Sequence, residues 1–187
     1  MNKNLIVLSG KKRVGKDTVA NLFNEYTQRK YALRAFADPV KEIVSQAVGT
    51  DSYTLDLYKE SLLVAVNGID SNLTIRELYR KTADFYKELL GEDIFAKLML
   101  KRLAYENYEF PRVIITDMRF KAEYEQMKLL DPVFIRVKCR MGNRDTHPSE
   151  IDLDDVPDSD FHFIIDNTGT RTQLKEQVQT IVKKLRI

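Results

Sequence analysis

The first apolar run of the chain, Leu5-Ile6-Val7-Leu8-Ser9, leads directly into Gly10-Lys11-Lys12-Arg13-Val14-Gly15-Lys16-Asp17-Thr18, and an amphipathic stretch from Thr18 to Tyr26 follows. A buried-type strand, a glycine-bounded loop and a helix in that order constrain the fold more than any other feature of the sequence. Two glycines with four residues between them let the backbone close into a concave nest of N–H groups, and the next helix adds its positive dipole end. The segment therefore reads as a phosphate-binding loop, with Gly10, Lys12, Arg13, Val14, Gly15, Lys16, Asp17 and Thr18 around nucleotide phosphates and Lys16 reaching the β- and γ-phosphates. The plainer reading, a glycine-rich turn with a solvated basic cluster at Lys11, Lys12 and Arg13, leaves the glycine spacing unexplained. One position departs from the motif, which calls for Ser or Thr after the lysine to ligate Mg²⁺. Asp17 stands there instead. A carboxylate also serves a hard cation directly or through water, so Asp17 is a candidate Mg²⁺ ligand while Thr18 hydrogen-bonds a phosphate oxygen. Asp17 equally suits the first turn of a helix.

At 187 residues, the chain fits a single domain with a substantial core. With 43% hydrophobic and 31% charged residues, disordered and fibrous classes are excluded. A net charge of +2 is too balanced for nucleic-acid binding as the main activity. The apolar runs are too short to span a bilayer, and Met1 to Leu5 enters a strand rather than a signal peptide, so a cytoplasmic protein without membrane partners is expected. Cys139 is the lone cysteine and reads as a half-buried strand thiol, without a disulfide or multi-cysteine metal site. His147 and His162 lack metal-ligand spacing.

Apolar runs recur at Val113 to Thr116, Val133 to Val137 and Phe161 to Ile165, with a weaker one at Tyr31 to Phe36. Helical patterns lie between them, at Thr18 to Lys30, Pro39 to Val48, Ile75 to Leu90, Ile94 to Tyr105, Lys121 to Leu129 and Thr172 to Leu185. This alternation predicts an α/β protein with a mainly parallel sheet and crossover helices. Two stretches fit the sheet poorly. Gly49 to Thr74 reads as part of an inserted substrate flap, and Arg140 to Pro157 as a charged segment too polar to be core.

Several groups carry chemistry. Asp117 and Arg119 follow the strand Val113 to Thr116, at the carboxyl end where open α/β sheets bind ligands. Asp117 is the second candidate Mg²⁺ carboxylate, and Arg119 would face an acceptor phosphate or the transferring group; a structural Asp–Arg pair is the alternative. Asp38 is expected to cap a helix with Pro39 at its first position, and Lys41 to present its charge to an anion there. Arg140 and Arg144 lie on a segment suited to a lid, where arginines offset charge on a transferring phosphoryl group. Arg76 and Arg80, one turn apart, either line an acceptor site or form a solvated face. Asp166 to Thr170 is a strand-to-helix turn with a plausible adenine contact; Gly169 is expected at positive φ and Thr170 near the N-cap.

The order GKKRVGKDT, FADPVKE, VIITDMRFKAEYE, RMGNRDTHPSE and IIDNTGT resembles the bacteriophage deoxynucleoside monophosphate kinase family. The resemblance covers most of the chain and departs most from Gly49 to Leu90. It implies a P-loop NTPase three-layer α/β/α sandwich with a mainly parallel five-stranded sheet, as a single domain with an acceptor-binding insert at about 49–90 and a lid at about 140–157. It further implies ATP phosphates at Gly10 to Thr18, adenine packing near Asn167, Gly169 and Thr170, and acceptor contacts at Asp38 and Lys41. Asp117 and Arg119 would touch nucleotide or phosphate, and Arg140 and Arg144 would be lid arginines.

The implied reaction moves the γ-phosphoryl group of ATP, with Mg²⁺, to a deoxynucleoside monophosphate in deoxynucleotide synthesis, in the host cytoplasm for a phage protein. Lys16, Arg119, Arg140 and Arg144 would offset the developing charge. The acceptor phosphate is already ionised near neutral pH, so no general base is needed. Two alternatives remain open: another small-molecule kinase of the phosphomevalonate type, and a non-catalytic nucleotide switch. The sequence does not decide between a monomer and a homodimer.

Overall fold

Buried parallel strands are apolar on both faces, so they appear in sequence as continuous runs rather than alternations. In the computed structural model, which describes residues 1–106, 112–139 and 147–187, those runs are strands β1 (Asn2–Ser9), β2 (Ala32–Arg34), β3 (Val113–Met118), β4 (Pro132–Lys138) and β5 (Phe163–Asp166). They form one sheet of order β2-β3-β1-β4-β5, with every pair of neighbours parallel. Helices α1 (Lys16–Tyr26), α2 (Asp38–Val48), α3 (Ser52–Leu57), α4 (Leu63–Asn67), α5 (Ile75–Leu90), α6 (Ile94–Glu106), α7 (Lys121–Lys128), α8 (Pro148–Ile151) and α9 (Arg171–Leu185) complete the described elements, with a 3₁₀ turn at Asp158–Asp160. Among the described residues, no helix is long and apolar enough to cross a membrane.

The chain divides into two units, Met1–Phe36 with Met99–Ile187, and Ala37–Leu98. The first holds the whole sheet. Ile6 and Leu8 of β1, Ile114 of β3 and Val133, Ile135 and Val137 of β4 share a core with Val19, Leu22 and Phe23 of α1 and Leu174, Val178 and Ile181 of α9. The intervening strand residues Leu5, Val7, Ile115 and Phe134 are buried as well. Phe134 packs against Tyr124 of α7 at 5.0 Å between ring centroids and against Phe161 at 6.4 Å. Both sheet faces are thus covered, as a three-layer α/β/α sandwich requires. The central β1 pairs with β3 and β4, which sets the loop after Ser9 between two strand ends: Ser9 is in register with Met118 on one side and Arg136 on the other.

Within the second unit, α5 starts at a capping box in which Thr74 accepts from the Glu77 N–H and Glu77 accepts from the Thr74 N–H, and it ends at Gly91 with φ 99. An antiparallel bridge joins Leu62 to Thr74, with Leu63 N–H donating to Leu73 O at 2.9 Å. Helix α2 begins at Asp38 rather than after it: Ala37 is the N-cap and no side chain caps the helix. The backbone of residue 37 is already helical, at φ −75 and ψ −9, so Asp38 falls in the first turn and acts there through the helix dipole.

Candidate active site

The loop between β1 and α1 closes because two residues adopt conformations that favour glycine. Gly10 has φ 144 and Gly15 φ 95, and Arg13 joins them at φ 64. A Cβ on Gly10 would sit 2.4 Å from the Val137 carbonyl oxygen, and one on Gly15 would sit 2.5 Å from the Asn167 side-chain nitrogen. Both glycines are therefore fixed by close approach as well as by φ. Helix α1 opens at Gly15 with no side-chain cap, which leaves its first N–H groups to the loop cavity, the arrangement that binds anions.

Lys16 is buried at 7% exposure. Its ammonium donates to the Gly10 carbonyl at 2.6 Å and the Lys11 carbonyl at 2.9 Å. Burial pushes its pKa down to about 8; Arg119 adds to that shift, while Asp117, Glu150 and Asp17 oppose it. Those four side chains consequently act on the ammonium at once, and the structure gathers the sequence candidates Lys12, Lys16, Asp17, Asp117 and Arg119 around one loop. Asp117 also accepts from the Phe36 N–H at 2.7 Å, tying the end of β2 to β3.

The partner of Arg119 is Glu150, not the neighbouring Asp117 of the structural-pair alternative. The side chain of Glu150 is only 2% exposed, and its second oxygen accepts from the Lys12 N–H at 2.7 Å. Sequence reasoning passed over Glu150. Its signal was present in the acidic run Glu150, Asp152, Asp154, Asp155, Asp158 and Asp160, which complements the basic groups facing it. Asp154 pairs with Lys11 at 2.8 Å, Asp152 accepts from the Lys121 N–H at 2.7 Å, and Asp155 pairs with Lys121 at 2.5 Å. Arg136 donates to the Val156 and Leu153 carbonyls and to Asp158. For residues 147–157, the described part of that stretch, the expectation of a segment too polar for the core is corrected: Glu150, Leu153 and Val156 are buried, because Glu150, Asp152, Asp154 and Asp155 each have a basic or N–H partner and the two apolar residues turn inward. A cleft of about 390 Å³ lies between this segment, the loop and the ends of β3 and β4, and Cys139, half-buried one residue past β4, is on its wall. Arg140 and Arg144 lie outside the described residues.

The β5–α9 turn supports the loop from behind. Asn167 donates its amide to the Val14 carbonyl at 2.9 Å, so this side chain braces the phosphate loop. Thr170 is the N-cap of α9 and forms a capping box with Gln173. Gly169 does not take a positive φ. The Gln173 side chain folds over it, with its oxygen 2.1 Å from where a Cβ would stand, so a larger residue there would have to displace that flexible side chain from its capping position.

In the second unit, Lys41 pairs with Asp56 at 2.7 Å. Arg76 directs two nitrogens to one oxygen of Glu60, at 3.0 and 2.8 Å, which makes it part of a surface ion pair. Arg80 is half-buried on the same helix. The Tyr79 hydroxyl is buried with no hydrogen-bond partner among the described residues; burial, then the charge of Asp56, hold it well above the ordinary tyrosine range. No cluster of three or more metal-ligating side chains occurs among the described residues.

The model of the deoxynucleotide monophosphate kinase family matches residues 4–72, the stretch that carries the phosphate loop, α2 and Lys41. No curated protein gives a significant sequence match. Among solved structures, the dephospho-CoA kinase from Campylobacter jejuni is similar at a TM-score of 0.52 and 14% identity, with 98% of each chain covered; at that identity the likeness concerns the fold. The chain thus carries the sequence pattern of the deoxynucleotide monophosphate kinase family over residues 4–72, on a P-loop fold shared with a kinase.

Proposed function

We propose that this protein transfers the γ-phosphoryl group of ATP to a deoxynucleoside monophosphate. The observation that carries the reading is the loop from Gly10 to Thr18, whose open helix start and buried Lys16 stand beside Arg119 and three carboxylates. Phosphoryl transfer asks a protein chiefly for positioning and for offsetting charge on the transferring group. Arg119 provides fixed positive charge, the Lys16 ammonium adds to it in its protonated form, and the α1 N–H groups provide dipoles. Arg140 and Arg144 are assigned to the same task, and Asn167 with Gly169 and Thr170 to the adenine side of the turn.

Mg²⁺ fits the residues present. Asp17 and Asp117 are oxygen donors that both act on Lys16, and this cation is commonly held by one or two carboxylates together with substrate phosphates and waters rather than by a full protein cage. When bound, it would supply positive charge that offsets the charge of the phosphates. Asp17 and Asp117 would hold it, Thr18 would bond a phosphate oxygen, and Lys16 would orient the terminal phosphate for in-line attack. For the acceptor, Asp38, Lys41, Arg76 and Arg80 are the assigned residues, and the orphaned Tyr79 hydroxyl joins them as a group that a ligand could satisfy. Lys41 already holds a carboxylate partner in Asp56, so an acceptor phosphate would exchange with it.

The test is ADP production from ATP and Mg²⁺ with each of the four deoxynucleoside monophosphates, AMP, GMP, phosphomevalonate and dephospho-CoA supplied separately. Turnover that depends on a deoxynucleoside monophosphate supports the assignment. Turnover only with another acceptor makes the protein a different small-molecule kinase, and slow hydrolysis indifferent to every acceptor makes it a switch.

A further inference from the structure

Glu150 is an acid in a place built for anions. One oxygen accepts from the Lys12 N–H inside the phosphate loop and the other accepts from the Arg119 guanidinium, with the side chain 2% exposed. Its charge is also felt by Lys16. A bound phosphate group would call on the same two donors, a loop N–H and an arginine, and on the loop lysine beside them. Lys16 meanwhile turns its ammonium to the Gly10 and Lys11 carbonyls.

We infer that Glu150 is an internal substitute for a nucleotide phosphate: its carboxylate holds the loop and Arg119 in the empty protein, and incoming phosphate displaces it and takes over both donors. The inference rests on the phosphate-loop reading above and adds a competitor to it. The carrier of Glu150 is suited to exchange. It is the single turn α8, started by Pro148 behind the His147 cap, and the turn that follows it is tied in part by ion pairs of exposed side chains, Asp154 with Lys11 and Asp155 with Lys121. Such pairs are individually weak. Because a ligand's apparent affinity is reduced by the fraction of protein that is competent to bind it, a docked Glu150 lowers phosphate affinity, and its departure frees Arg119 only when an anion has arrived.

Glu150→Gln keeps the shape and removes the charge. Calorimetric binding of pyrophosphate and of ATP, without acceptor, is compared for the unmodified protein, Glu150→Gln and Lys16→Ala, each checked for folding by circular dichroism. The expected result is pyrophosphate binding about tenfold tighter in Glu150→Gln, corresponding to a docked form populated at about nine in ten, and weaker in Lys16→Ala. Binding that is unchanged or weaker in Glu150→Gln overturns the inference and leaves Glu150 as a fixed positioning residue for Arg119. Should Glu150→Gln fail to fold, Glu150→Asp decides: it keeps the charge but lacks the reach to bridge both donors, so tighter pyrophosphate binding supports displacement and unchanged binding refutes it. If the unmodified protein and all variants ignore pyrophosphate and ATP alike, the phosphate-loop reading itself fails. If ATP binds normally and only the tightening is missing, that reading stands and the inference alone falls.

Discussion

Replacing Gly15 by alanine separates two costs that meet at one atom. At φ 95, an L residue is in the left-handed region, which costs about 1–2 kcal/mol. The added Cβ would also lie 2.5 Å from the Asn167 side-chain nitrogen, so Asn167 must move and its 2.9 Å bond to the Val14 carbonyl is lost, a further cost of about 1 kcal/mol. The sum, about 2–3 kcal/mol, corresponds to a Tm lower by roughly 5–10 °C for a chain of this length. Calorimetric melting of Gly15→Ala, Asn167→Ala and the double variant closes a mutant cycle. Because Asn167→Ala removes the clashing amide, the double variant should be more stable than additivity predicts by about 1 kcal/mol. The backbone part of the cost would persist. Strict additivity, or a Gly15→Ala protein melting within a degree of the unmodified one, would refute the placement of Asn167 against the loop. Gly10→Ala makes a useful contrast, since its Cβ would meet the Val137 backbone oxygen, which no side-chain truncation can move.

The lowered pKa of Lys16, about 8, means that near pH 8 about half of the empty protein carries a neutral amine. ATP binding should therefore take up about half a proton at that pH, measured by calorimetry in buffers of different ionisation enthalpy; no uptake would contradict the burial argument. The same depressed value has a stability consequence: between about 8 and the ordinary 10.5, the unfolded chain binds more protons at this lysine than the folded one. The contribution of Lys16 to stability accordingly rises with pH through that window, and Lys16→Met should lack this rise in melting profiles while also losing turnover. Lys41→Ala should raise the acceptor KM with little change in ATP binding; a selective loss of ATP binding would remove Lys41 from the acceptor side. Arg144→Ala should lower kcat more than ATP affinity, and an unchanged rate would remove that arginine from the transfer step.

The parts of the fold that could be read from sequence are those governed by short-range rules. Helix α5 spans Ile75–Leu90 as expected, since the Thr74 box and Gly91 mark its ends locally. Helix α1 is displaced from the expected Thr18 to Lys30 to Lys16–Tyr26. It starts as soon as Gly15 has turned the chain, and it stops where extended Thr27 donates its N–H and hydroxyl to the Phe23 carbonyl. The final strand begins at Phe163 rather than Phe161, because Phe161 is spent on the aromatic cluster with Phe134 and Tyr124. In the candidate site, the strand-to-loop pattern singles out Lys16, Asp117 and Arg119, and the fold brings these three side chains to one loop. Glu150 was not, because its meaning lies in a pairing with Lys12 and Arg119 across 138 and 31 positions of chain, which no local pattern encodes.

The position of β1 also dictates an order of events during synthesis. Both hydrogen-bonding edges of this first strand are completed by β3 and β4, which leave the ribosome only after more than a hundred further residues have been made. Until then, Leu5 to Leu8 form an unpaired apolar edge, the kind of segment that invites association with other chains. The unit Ala37–Leu98, whose elements are neighbours in sequence, is fully synthesised before β1 meets either partner. Nascent chains halted before residue 113 should therefore be the aggregation-prone species and the ones that engage chaperones, while release past β4 lets β1 become the centre of the sheet.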